Sequence, residues 1–223
     1  MSEMEHRRYL SSIVIDTKLN AEHMEYLHRV LFEQSRSQGE EVNMLGSRGN
    51  VTRFSLDLNL VDKDNWFYES AIKDLSEQLF YRIEKRDSPP EFKLDSLWVN
   101  FQKQYDYVPL HNHNSLFSFV IFFKIPVHKE KQVYHDNLPD TESTTDNFEF
   151  VWSESGSKDV NITYFHLSPE DEGRILFFHS WLKHQVYPFY GTEKEERITF
   201  SGNVCLKEPD LSGGLSEDEC VRK

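Results

Sequence analysis

The sequence predicts a mainly β fold, a sandwich or barrel, preceded by helices in the N-terminal third. Three observations carry this. From Leu94 onward, 94-LDSLWVNFQKQYDYV-108, 115-SLFSFVIFFKIPV-127, 147-NFEFVW-152, 161-NITYFHL-167, 173-GRILFF-178, 184-HQVYPF-189 and 196-ERITFSGNVCL-206 are short and rich in β-branched and aromatic residues. Turn-forming stretches separate them, as in an all-β sandwich or barrel. Before them, apolar residues recur at helical spacing. The 223 residues, 38% hydrophobic and 14% aromatic, suffice for one β-rich domain with a filled core.

Taken in order, 11-SSIVID-16 reads as a short strand. Asn20 is placed to cap a helix whose apolar face carries Met24, Leu27 and Leu31. The polar, glycine-containing stretch 35–50 reads as a loop. A second helix is expected from about Asp64, with Phe67, Ile72, Leu75, Leu79 and Ile83 as its stripe, and Ser88-Pro89-Pro90 ends it. The strands follow. The long polar stretch 129–147 has the character of a lid or of a surface excursion. The expected organisation is one domain over residues 1–206 and a polar tail over 207–223.

Composition narrows the function classes. With 25 basic against 38 acidic residues, net −13, the chain repels phosphate backbones, so a nucleic-acid partner is not expected. The start, MSEMEHRRYL, lacks the apolar core of a signal peptide, and 116-LFSFVIFF-123 is too short to span a bilayer. Two cysteines without a paired motif suit a reducing cytoplasm. The apolar residues of the N-terminal helices could form core or interface, which leaves a homodimer open.

The chemistry concentrates in 107-YVPLHNHNS-115. On an extended segment residues i and i+2 share a face, so His111 and His113 project together and could grip a metal. His184 is the best third ligand: it follows a tight Ser180-Trp181 corner and opens a strand. Thirteen residues on, Arg197, Thr199, Ser201 and Asn203 share one strand face, and Ile198, Phe200, Gly202 and Val204 the other. Each piece also has a plain reading. The His-x-His pair could face solvent, His184 could be a packed core histidine, and Arg197 could pair with Glu195 or Glu196. Only the joint occurrence points to a site. His128 and His135 read as solvated, His166 as packed, and His179 as a rival ligand. Trp98, Asn100 and Gln102 share a face just before the pair.

The ordered set Trp98-Val99-Asn100, His111-Asn112-His113, Ser118 to Pro126, Gly173 to Pro188 and Arg197 to Asn203 resembles the Fe(II)/2-oxoglutarate-dependent oxygenases. The fit is closest to their small bacterial and phage branch with a His-x-His motif, over residues 50–205. The resemblance implies a double-stranded β-helix, or jelly roll, with the N-terminal helices packed on one sheet. It implies Fe(II) and 2-oxoglutarate as cofactors, and a dioxygenase that hydroxylates a small-molecule or peptidyl substrate while releasing succinate and CO2. His111 and His184 would be the two metal-binding histidines. Arg197 would hold the distal carboxylate of 2-oxoglutarate, Thr199 would add a hydroxyl bond, and Arg197→Ala is expected to abolish that binding yet leave the fold. Of the nearby residues, Asn100 could line the pocket, and Tyr105 could bond the cosubstrate or simply pack.

Position 113 departs from the superfamily's two histidines and a carboxylate. His113 could ligate the metal, could stand behind a position filled by water or halide, or could mark a site that no longer binds iron. The alternation favours ligation by His111, His113 and His184. Two other functions stay open: a three-histidine cupin dioxygenase without 2-oxoglutarate, and a non-catalytic jelly-roll binding module.

Overall fold

The computed structural model describes residues 13–33, 41–43, 51–85, 88–126, 146–153 and 158–207. Strand β1 (Val14–Lys18) leads into helix α1 (Ala21–Glu33). Asn20 caps it as expected, its Oδ1 accepting the His23 N–H at 2.9 Å. Within the stretch read as loop, Glu41–Asn43 forms a strand, β2, antiparallel to β3 (Thr52–Leu56). Cross-strand pairing, not local propensity, makes that strand. A short helix, α2 (Leu58–Val61), follows. The buried Asp62 carboxylate then accepts the N–H groups of Phe67 and Tyr68 at 2.9 and 3.1 Å, satisfying donors at the start of the second long helix. That helix opens with a π turn (Tyr68–Ile72) and continues as α3 (Lys73–Glu84).

The segment read as one strand over 94–108 is two. Strand β4 (Phe92–Lys103) and β5 (Val108–His111) are separated by a turn in which Asp106 accepts the Lys103 N–H at 2.7 Å and Tyr105 takes φ 69°. The remaining strands are β6 (Phe117–Lys124), β7 (Phe148–Trp152), β8 (Asn161–Phe165), β9 (Arg174–His179), β10 (Lys183–Val186) and β11 (Glu196–Leu206). The expected lid over 129–147, the tail, His128 and His135 lie outside the described residues, apart from Asp146, Asn147 and Lys207.

The strands form two sheets with orders β1-β9-β6-β11-β4-β3-β2 and β5-β10-β7-β8. Along β4 to β11 the chain passes back and forth between them, and every pairing is antiparallel. This is the double-stranded β-helix that the resemblance implied. The extra strands β1 and β3-β2 widen the larger sheet on both flanks. Its outer face packs on the helices: Leu27, Val30, Leu75 and Leu79 meet Val99, Phe101, Ile121, Phe200 and Val204 in one buried cluster. A second cluster, including Val120, Phe122, Phe148, Phe150 and Phe178, lies between the sheets. Each of these buried side chains stabilises the fold by roughly 1.5–3 kcal/mol. Alternation along β11 therefore turns Ile198, Phe200, Gly202 and Val204 to the helices, and Arg197, Thr199 and Ser201 to the interior between the sheets.

Candidate metal centre

Strand pairing assembles the histidines. On the smaller sheet His111, the last residue of β5, lies directly across from His184 on β10, with ring centroids 4.2 Å apart. His113 stands two residues beyond the end of β5, and its backbone N–H donates to the Ser180 carbonyl at 2.9 Å. The corner before β10 thus fixes the His-x-His segment against the strand that carries His184. His113 Nε2 lies 3.2 Å from His184 Nε2, and the two rings are parallel. Trp98 of β4 stacks on His113 at 5.5 Å.

Burial holds all three imidazoles neutral. It is the main cause that pushes the His113 pKa down to about 4, lowers that of His111, and drives that of His184 well below its usual value. The charge of Arg53 acts in the same direction on His111 and His113, and neighbouring histidines do so on His113 and His184. Neutral imidazole is the form that ligates metal. The Nδ1 atoms of His111 and His184 face the carbonyl oxygens of Pro109 and Leu182 at 2.8 and 3.0 Å. A carbonyl only accepts, so Nδ1 carries the proton and Nε2 presents a lone pair. Two nitrogens each about 2.1 Å from one ion at a right angle stand about 3 Å apart, which matches the His113–His184 separation. One ligand atom from each of the three histidines lies within 4.8 Å of the others. The donor set fits a metal ion once one ring turns slightly inward.

The three histidines line a cavity of about 50 Å³ between the sheets, walled also by Arg53, Trp98, Asn100, Gln102, Arg197, Thr199 and Ser201. Such a volume holds a few waters, so side chains must shift to admit a five-carbon dicarboxylate. Arg197 is 1% exposed, and burial lowers its pKa to about 10 against the opposing pull of Asp146 and Asp106. It donates to Gln102 Oε1 (3.2 Å), the Asp146 carbonyl (3.1 Å) and the Tyr187 carbonyl (2.6 Å). All three acceptors are neutral, so the guanidinium can still take an anion. Asn100 Nδ2 donates to Thr199 Oγ1 at 3.2 Å, whereas Asn100 Oδ1 is buried without a partner among the described residues. An orphaned amide atom on a cavity wall fits a polar ligand.

The structure brings His111, His113, His184, Arg197, Thr199 and Asn100 to one cavity. It does not bring Tyr105 there. Tyr105 is 61% exposed in the β4–β5 turn and packs on Tyr190. A turn, in which Tyr105 takes φ 69°, splits the long strand and carries the side chain outward. His179 is not among the cavity's lining residues; its ring meets Phe117 and Trp181. Sequence reasoning missed Arg53, because β3 was not read as a strand facing Asn100.

Residues 96–203 match the model of a family described as "Putative 2OG-Fe(II) oxygenase". No curated protein matches the chain in sequence. Among solved structures, the chain resembles a Pseudomonas putida prolyl-4-hydroxylase with a TM-score of 0.56 at 11% identity, covering 87% of this chain and 93% of that one. It resembles the non-heme alpha-ketoglutarate-dependent epimerase SnoN of nogalamycin biosynthesis with a TM-score of 0.56 at 16% identity, over 91% and 80% of the two chains. HygX from Streptomyces hygroscopicus, solved with nickel and 2-oxoglutarate, matches with a TM-score of 0.51 at 10% identity over 92% and 87%. At these identities the likeness is one of fold.

Proposed function

We propose that this chain is a member of the Fe(II)/2-oxoglutarate-dependent oxygenase superfamily and a dioxygenase that hydroxylates a small-molecule or peptidyl substrate at a three-histidine iron site. One observation carries the reading: three neutral imidazoles converge in a cavity whose wall also holds the fully buried Arg197. The iron ligands would be Nε2 of His111 and His184 together with His113. Arg197 would hold the distal carboxylate of 2-oxoglutarate through donors still available on its fork, and Thr199 and Asn100 would bond the same end. Fe(II) with 2-oxoglutarate and dioxygen supplies the oxidant for a C–H bond, with succinate and CO2 as by-products.

The chain's own part is geometry and exclusion of water. Pro109 and Leu182 carbonyls fix the tautomers and ring angles of His111 and His184. Trp98 braces His113. Phe122, Phe148 and Phe178 line the cavity and keep it dry. The proposed domain spans residues 1–206, with 207–223 as a tail.

The test is anaerobic addition of Fe(II) and then 2-oxoglutarate to the metal-free protein. A weak visible charge-transfer band at one equivalent, absent in Arg197→Gln, supports the reading. Iron binding without a band transfers support to a three-histidine cupin dioxygenase whose Arg197 takes the substrate's own carboxylate. No iron binding leaves a non-catalytic jelly roll.

A further inference from the structure

A second arginine enters the same cavity, and nothing in the reading above uses it. Arg53 lies on β3 opposite Asn100 of β4. Opposed residues of an antiparallel pair project to one face, and Asn100 lines the cavity, so Arg53 does too. Its guanidinium carbon sits 3.9 Å from the centre of the Trp98 ring, which stacks on His113.

Arg53 is held unlike Arg174 or Arg197. Arg174 is tied to Asp16 and Asp171 by ion pairs at 2.7 and 2.9 Å. Arg197 is tied to three oxygens. Among the described residues, Arg53 has neither an ion pair nor a hydrogen bond; the face of Trp98 is what holds it. Half-buried, it is charged at a cost of desolvation that no carboxylate offsets. Among the described residues no Asp or Glu lines the cavity, although the chain carries 38 acidic residues. A cation–π contact also presets the guanidinium in one plane, which suits the fork geometry of an oxyanion.

Resting on the oxygenase reading, the two carboxylates of 2-oxoglutarate are accounted for by the metal and by Arg197. We propose that Arg53 is the specificity-determining residue for the primary substrate, and that this substrate is a small molecule bearing an oxyanion, a carboxylate or a phosphate, which the Arg53–Trp98 pair holds beside the metal. The net charge of −13 opposes polyanions, so a single anionic group on a small body is what the mouth admits. Anchoring that group at Arg53 orients the rest of the molecule toward the histidines.

The experiment uses the full chain as parent, Arg53→Gln and Arg53→Lys, each loaded anaerobically with Fe(II) and 2-oxoglutarate. The charge-transfer band is recorded first. Benzoate, inorganic phosphate and the neutral benzamide are then titrated by calorimetry at constant ionic strength. The expected result is an unchanged band in Arg53→Gln and binding of benzoate or phosphate to the parent, the preferred one naming the oxyanion. That binding falls at least tenfold in Arg53→Gln and returns in part with Arg53→Lys, and benzamide does not bind. The proposal is overturned if oxyanions bind Arg53→Gln as they bind the parent, if benzamide matches benzoate, or if neither oxyanion binds the parent at tens of millimolar. It is also overturned if Arg53→Gln alone loses the band, because Arg53 then serves 2-oxoglutarate. A band missing from the parent itself refutes the oxygenase reading, and the calorimetric comparison then decides the anion site independently.

Discussion

Truncating Arg197 should cost more than cosubstrate binding. The sequence led to the expectation that Arg197→Ala would leave the fold, yet the structure gives that side chain a second task. It is 1% exposed and bonds Gln102, the carbonyl of Asp146 just before β7, and the carbonyl of Tyr187 just after β10. It therefore ties one end of the two inner strands of the smaller sheet, β7 and β10, to β11. Hydrogen bonds from a charged donor are each worth about 1.5–3 kcal/mol. Three of them would sum to more than is lost, because water can reach acceptors that the guanidinium leaves behind. Each buried acceptor left unpaired costs about 1–3 kcal/mol, and with water reaching part of the gap we expect ~4 kcal/mol for Arg197→Ala. That is a large part of the ~5–15 kcal/mol by which domains are stable. Urea denaturation of the metal-free protein, followed by far-UV circular dichroism, measures it, with Arg197→Lys expected to be intermediate. An Arg197→Ala variant within ~1 kcal/mol of the parent would refute the three-acceptor anchor.

Other expectations are independent of the cosubstrate. A Cβ on Gly202 would run into the Phe119 ring and lie 2.7 Å from the Ser96 carbonyl oxygen, so Gly202→Ala should destabilise by about 2 kcal/mol in the same urea assay. Asp62→Ala frees the N–H groups of Phe67 and Tyr68 and should cost about 2 kcal/mol; an unchanged midpoint would deny the cap. Burial lowers the His179 pKa from 6.5 to about 4. The unfolded chain then binds the extra proton first, so stability present above pH 6.5 is lost as pH falls toward 4. With partial exposure discounted, the loss is about 1 kcal/mol, and His179→Gln should flatten that part of the stability–pH curve relative to the parent. Fe(II) and 2-oxoglutarate should tighten each other at least tenfold and by equal factors, a coupling that weakens in His113→Asp; affinities that do not depend on the other ligand would contradict it.

Legibility in the sequence followed the length of the signal. Strands β6 and β11 are long and strongly patterned, and their alternation set the inward face of Arg197 and Thr199 as expected. The helix stripe of Phe67, Ile72, Leu75 and Leu79 is buried as read. What failed was local context. Asp106 and the positive φ of Tyr105 break one apolar run into two strands, which moved Tyr105 from the pocket to the surface. Strand β2 exists only through its pairing with β3, a long-range fact. The same blindness hid Arg53: 52-TRFSL-56 carries three polar residues and no turn signal of its own, and only the register Arg53↔Asn100 reveals where it points. His184 and His111 were paired in the sequence by type alone, whereas the structure pairs them by register.

The histidine at position 113 makes physical sense once the cavity's charges are considered together. Three neutral imidazoles leave the charge of a divalent ion uncompensated, where a carboxylate ligand would cancel one unit. The cavity wall adds Arg53 and Arg197 and, among the described residues, no Asp or Glu. In a chain of net charge −13, this places a concentrated positive field inside a negative surface. Two unit charges about 4 Å apart interact by about 4 kcal/mol at an effective dielectric of about 20, so a carboxylate at position 113 would repel an incoming carboxylate on that scale. His113 removes the repulsion. Without an anion, a metal held there would sit in an environment that opposes its charge. With an anion bound, the same environment holds both. A site built this way trades metal affinity in the empty state for affinity toward anionic ligands, the selectivity that an orphaned arginine at its mouth would exploit.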